Sequence, residues 1–160
     1  MLKTTSSLLM ALCATLTFAF AGVASAQTTA PVAGQLPSQA ADPALYKALG
    51  ERAGIDKLTD DFVQRLVADA RMKPFFEKAN QANLKKQLAD QFCMVSGGPC
   101  TYKGVDMKNA HSSMDITKGN FNALVEVLQE SMTAQGIAFR AQNQLLAQLA
   151  PMHRDVITVK

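Results

Sequence analysis

The chain holds no tryptophan, only two tyrosines and two histidines, and three cysteines among its 160 residues. Each scarcity excludes something. So few histidines and cysteines do not make a zinc site of ordinary ligand spacing. No glycine-rich phosphate loop, no G-x-S-x-G and no H-E-x-x-H occurs, and no paired-carboxylate motif stands in their place. No run of lysine or arginine exceeds two residues, and the net charge is +3. So weak a balance gives no footprint for nucleic acid or for a membrane surface. No uncharged apolar run reaches the roughly 20 residues that a membrane span needs. No segment alternates with period two over a useful length, which excludes a strand-built core.

What is present begins with a leader. Lys3 is a positive start, Leu8 to Ala21 is apolar and uncharged, and Ala24-Ser25-Ala26 is a small-residue cleavage site before Gln27. Residues 1–26 therefore read as a signal peptide rather than an uncleaved anchor, with no stable membrane insertion after cleavage. The product is expected to be periplasmic or secreted. Cys13 lies inside the apolar stretch behind Leu12, which does not suit a lipoprotein site. Lys3 is the only charge before Asp42, so the remainder carries +2. Residues 27–42, rich in Pro, Gln, Ala and Thr, read as a flexible linker. A single folded domain is expected over 43–157.

Helical spacing runs through that domain. Asp42 reads as an N-cap with Pro43 at the first helical position, and Gly50 stops the short helix over 44–49. Gly54 opens the next, in which Ile55, Leu58, Phe62, Val63, Leu66 and Val67 form an apolar face. Pro74 interrupts it. Phe75 and Phe76 follow outside a clear helix, either as a core plug or as the wall of a flat cofactor's pocket. From Asn83, Leu84, Leu88, Phe92 and Val95 make a stripe that Gly97-Gly98-Pro99 ends. Gln87 sits at its margin, and Lys85, Lys86, Asp90 and Gln91 lie off it. A short helix over 106–114 puts Met107, Ala110, His111 and Met114 on one face. Thr117 caps a strong helix carrying Phe121, Leu124, Val125, Leu128 and Met132. The last helix, over 140–155, should kink at Pro151. Val156 to Val159 stand alone and are expected to fray. The fold class is all-α, with five or six helices.

Cys93 and Cys100 flank the Gly-Gly-Pro turn. In an exported protein they are either a disulfide that clamps a helix end to the next segment, or two independent buried thiols. No C-x-x-C-H is present, so haem attachment through thioethers is excluded.

His111 is the residue that carries chemistry. A single histidine on an apolar helix face is either a hydrogen-bonded core residue or a ligand. Its company is Met107 and Met114 on the same face, and Phe62, Phe75, Phe76 and Phe92 elsewhere. One neutral imidazole in an otherwise apolar cage is what a haem iron requires.

The order of these pieces resembles the truncated haemoglobins, most of all group I. The resemblance covers roughly Leu45 to Val156. It rests on Leu45-Tyr46-Lys47-Ala48-Leu49-Gly50, on Ala68 through Pro74-Phe75-Phe76, on Gly97-Gly98-Pro99, and on Tyr102-x-Gly104. Met107-x-x-Ala110-His111, Ile116-Thr117 and Leu149-Ala150-Pro151 through Asp155-Val156 complete it. The resemblance implies a globin-like two-over-two helical sandwich around haem b, with His111 as the iron ligand. It implies that Phe76 contacts the haem and that Phe62, Leu84, Leu88 and Phe92 line the distal side, Phe92 at a ligand tunnel. Met107, Met114, Ile116, Phe121 and Leu124 would pack on the proximal side or the porphyrin edge.

The departures from the family pattern bear on function. Val63 stands where a distal tyrosine is usual, and Leu88 where a distal glutamine is common. Bound dioxygen carries partial negative charge and is held by hydrogen-bond donors, so oxygen binding should be weaker and nitric oxide dioxygenation poorly served. Gln87 is the one polar side chain able to swing in. It replaces a residue that is often basic and pairs with a haem propionate; Lys85 and Lys86 either compensate or form a solvated face. Glu51 replaces a second hinge glycine. His153 lies near a position where some relatives bond a haem vinyl, offset by one residue; otherwise it is a surface imidazole. The reading is an exported haem-b globin that reversibly binds a diatomic gas (dioxygen, carbon monoxide or nitric oxide) for transport, storage or sensing. The alternative is a haem-dependent redox enzyme, a peroxidase or a nitric oxide detoxifier, with a redox partner. A third is a cofactor-free helical domain in which His111 is a core residue.

Overall fold

The computed structural model describes residues 43–159. The leader, the linker and the Asp42 cap lie outside the described residues. Among the described residues every regular element is helical. They are α1 (Pro43–Ala48), α2 (Glu51–Ala68), α3 (Lys73–Phe76), α4 (Gln81–Val95), α5 (Met107–His111), α6 (Lys118–Ala134), α7 (Phe139–Leu149) and α8 (His153–Val156). A 3-10 turn over Ala150–Met152 joins the last two.

The long helices form two pairs, α2 with α4 and α6 with α7. The pairs meet through α2 on α6 and α4 on α7. This is the all-α, two-over-two sandwich expected from the sequence. Its core is the apolar face of α2: Ile55, Leu58 and Leu66 are fully buried, and Phe62 is 2% exposed. Phe62 meets Phe92 of α4 with ring centroids 6.4 Å apart and planes tilted by 31°. Fully burying a side chain of this size contributes about 1.5–3 kcal/mol. Leu128 and Met132 of α6 and Leu145 of α7 close the centre.

Local chemistry sets the helix ends. The Asn83 N–H donates to the Asn80 side chain at 3.0 Å, so α4 starts at Gln81 rather than Asn83. Its far end is a glycine-terminated cap: Gly97 adopts φ +84°, and Gly98 N–H donates to Cys93 O at 2.8 Å. The Cys93–Cys100 disulfide forms across this turn, with Cα atoms 5.7 Å apart. Thr117 and Asn120 cap α6 reciprocally.

Several expectations need correction. There are more helices than five or six, because α3 and α8 are single turns. The residues from Phe75 to Phe76 belong to one such turn. α2 opens at Glu51, not Gly54. Gly54 lies within its first turn, where a Cβ would stand 2.1 Å from Leu49 O. Glu51, in place of the second hinge glycine, takes φ +56°, a backbone conformation a glycine would adopt without strain. α5 ends at His111, three residues before Met114. Pro151 does more than kink the last helix; it divides it into α7, the 3-10 turn and α8. The tail does not fray. The N–H groups of Thr158 and Val159 both donate to Ile116 O at 3.0 Å, and Ile116 N–H donates to Thr158 Oγ1 at 2.7 Å. These bonds pin the segment after α5, the helix that carries His111.

Candidate functional site

A cavity of about 950 Å³ opens between α4 on one side and α5 with the 3-10 turn on the other, floored by α2 and α6. It is at the upper end of the size expected for a small-molecule or cofactor site. Its wall is mostly apolar. Phe62 and Leu66 come from α2, Phe75 and Phe76 from α3, and Leu84, Leu88 and Phe92 from α4. Met107, Ala110, His111 and Met114 come from α5 and the turn after it, and Phe121, Leu124, Val125 and Leu128 from α6.

His111 is half-buried on this wall. Its Nδ1 lies 2.7 Å from Met107 O. A carbonyl only accepts, so Nδ1 carries the hydrogen and donates it. The lone pair is then on Nε2, which has no hydrogen-bond partner among the described residues. The expectation of a hydrogen-bonded core histidine holds for one nitrogen only. Orientation of a ligand histidine by a backbone carbonyl is the usual way of fixing tautomer and ring direction. The hydrogen bond is internal to α5: its acceptor is one turn before the ring. Asp106 fixes that turn by accepting from Asn109 N–H at 2.9 Å.

The cavity thus gathers ten of the eleven residues that the resemblance places against the cofactor: His111, Phe62, Phe76, Leu84, Leu88, Phe92, Met107, Met114, Phe121 and Leu124. Others fall elsewhere. Ile116 is buried at 7% exposure but is not on the wall; its backbone holds the C-terminal tail. Val63 is fully buried in the core and also off the wall. His153 donates from Nδ1 to Ala150 O at 2.9 Å, with its ring 6.3 Å from that of Phe121. It is not among the residues that line the cavity, although Met152, Val156 and Phe121 beside it are.

Two polar wall residues, Gln91 and Tyr102, escaped the stripe reading, and Gln87, expected at its margin, joins them on the wall. Gln91, expected off the face, is 7% exposed, and its amide donates to Met152 Sδ at 3.3 Å and Met107 Sδ at 3.7 Å. Thioether sulfurs are weak acceptors. Gln91 thus ties α4 to α5 and to the 3-10 turn. Tyr102 donates to Val105 O at 2.8 Å, and burial pushes its phenol up from the usual range, with the nearby Asp106 charge adding to this. Gln87 reaches the same corner, and its buried Oε1 has no partner. A Cβ on Gly104 would stand 2.3 Å from Tyr102 Oη and 2.6 Å from Gln87 Oε1, so any side chain there would displace both. The helical spacing of Gln87 and Gln91, four residues apart, was the available signal.

The model of the bacterial-like globin family matches residues 44–158. The chain belongs to that family. Among similar globins, the group 1 truncated hemoglobin GlbN of Mycolicibacterium paratuberculosis is 29% identical over 119 residues, covering 74% of this chain and 88% of that protein. The group 1 truncated hemoglobin of Tetrahymena thermophila is 31% identical over 96 residues, covering 60% and 79%. The crystal structure of the Tetrahymena pyriformis truncated hemoglobin in its Fe(III) form superposes with a TM-score of 0.68 at 27% identity, over 71% of this chain and 97% of that one. Globins of this group are haem-iron proteins, and haem is the cofactor that membership assigns to this chain. The family binds diatomic gases such as dioxygen.

The residues present fit that group. Apolar walls suit a porphyrin, and His111 Nε2 is the one ring nitrogen on them. Among the described residues no cluster of three or more His, Cys, Asp or Glu offers a rival metal site.

Proposed function

We propose that this globin is exported and binds haem b through His111 Nε2, holding a diatomic gas reversibly in an apolar distal pocket. The observation that carries the reading is the Nδ1 hydrogen bond to Met107 O, which leaves Nε2 free on the cavity wall. Haem iron supplies the reversible gas binding. His111 Nε2 would hold the iron, and Met107 O keeps the imidazole in a single tautomer. Phe62, Leu84, Leu88 and Phe92 exclude water from their part of the cavity and present no hydrogen-bond donor there. Gln91 is held on the cavity wall by two methionines. The distal wall therefore favours binding and release over chemistry that needs a proton delivered to the gas. The alternative, a haem-dependent peroxidase or nitric oxide detoxifier, lacks an acid–base group on that wall.

Export is supported by the leader sequence and by the Cys93–Cys100 disulfide, a bond that persists in oxidising compartments. One experiment checks both parts. The chain is expressed with its own leader, recovered from the periplasm, sequenced from its N-terminus and titrated with ferric haem. The expected product begins at Gln27 and takes up one haem per chain with a Soret band. A product retaining Met1 in the cytoplasm would refute export, and folded helical protein without a Soret band would refute the haem reading.

A further inference from the structure

The charges around the cavity are few, and most are already committed. Of the described residues on its wall, only Lys103 and Glu126 carry an obligatory charge. Glu126 is paired with Arg71 at 2.6 Å. Lys103 has no ion pair among the described residues. The two lysines that the sequence offered as partners for an anion are taken elsewhere. Lys85 is bonded to Asp60, and Lys86 lies 2.6 Å from Asp90. Asp90 also receives Arg52 at 2.6 Å, and these cations, Lys86 first and Arg52 next, hold its carboxyl below the usual range. Neither Lys85 nor Lys86 lines the cavity.

Lys103 stands between Tyr102 and Gly104, on the loop that closes over Gln87. Gln87, Tyr102 and Lys103 make this corner of a mostly apolar wall polar. Haem b carries two carboxylates on one edge, and an apolar wall cannot hold them. Among the described wall residues, Lys103 is the one ammonium available to them. The Gln87 carboxamide lies in the same corner with an unmet Oε1. Turning it over exchanges oxygen for nitrogen and presents an N–H donor to an anion.

We propose that Lys103 is the residue that binds a haem propionate, with the Gln87 amide beside it, in place of the basic group that position 87 lacks. This inference rests on the haem reading above. It also orients the cofactor, since the carboxylate edge is then turned toward the loop of residues 102–105. Lys103 is exposed, so its effect is that of a solvated ion pair, weaker than a buried one.

The test measures haem loss from the ferric holoprotein to an excess of apomyoglobin. Lys103→Ala is expected to lose haem roughly two- to fivefold faster, as such a pair implies. Lys103→Glu should lose it faster still, and Lys103→Arg should restore retention. Lys85→Ala and Lys86→Ala should leave the rate unchanged. Repeating the series with haem dimethyl ester, which has no carboxylates, should erase the difference between wild type and Lys103→Ala. Equal rates for Lys103→Ala and wild type with free haem would overturn the assignment while leaving the haem reading intact. So would an effect that survives with the ester. A wild-type chain that takes up no haem would overturn both.

Discussion

His111→Gly is expected to weaken haem binding by at least about a hundredfold, since loss of a mere ligand-orienting partner costs about 10–100-fold in metal affinity. The Soret band of the residual complex should shift, and added imidazole should restore it by entering the space the ring vacates. The reason lies in α5. That helix is only five residues long, yet Asp106 caps it and Met107 O fixes the ring of its last residue. No other wall residue offers an aromatic nitrogen. His153→Gly is the matched control, because His153 is off the wall; it should leave the spectrum unchanged. A His111→Gly protein that keeps both the band and the affinity of wild type would show that another group holds the iron.

Leu88→Gln is expected to slow dioxygen release by roughly 5- to 150-fold, which corresponds to the 1–3 kcal/mol of a buried donor finding its acceptor. Leu88 sits on the cavity wall of α4, one turn from Leu84 and four residues before Phe92. None of these three donates a hydrogen bond. Dioxygen held in the cavity carries partial negative charge, so a new amide donor stabilises it. Carbon monoxide carries little, so its release should change far less. Leu88→Met keeps the volume and adds no donor, and its release rates should match wild type. The rates follow from flash photolysis and stopped-flow replacement. Equal dioxygen release from Leu88→Gln and Leu88→Met would mean that the distal side is supplied with a donor already, Gln87 being the nearest candidate.

The long helices were legible in the chain because each buries a face that repeats at 3.6 residues. Ile55, Leu58, Phe62 and Leu66 announce α2, and Phe121, Leu124, Leu128 and Met132 announce α6. The single turns α3 and α8 were not legible, since one turn has no period. The C-terminal tail looked free because what holds it, Ile116, lies more than forty residues earlier, and backbone bonds leave no mark in composition. His111 was legible as a lone imidazole on an apolar face. Its free nitrogen was not, because that depends on Met107 O. Gln91 was misjudged for a different reason. An amide among Asp90 and Lys86 reads as solvent-facing, but α4 is covered on more than one side, and two methionines close over the amide. Lys103 lies in an irregular loop, where no spacing assigns a direction.

Iron bound at His111 within this cavity is what the proposed gas binding requires. The most direct measurement is a crystal structure of the ferric holoprotein with anomalous data collected at the iron edge. The expected result is one iron peak per chain, within bonding distance of His111 Nε2, inside a porphyrin lying between α4 and α5. An iron peak at any other side chain, or a cavity filled by protein side chains with no iron, would contradict it.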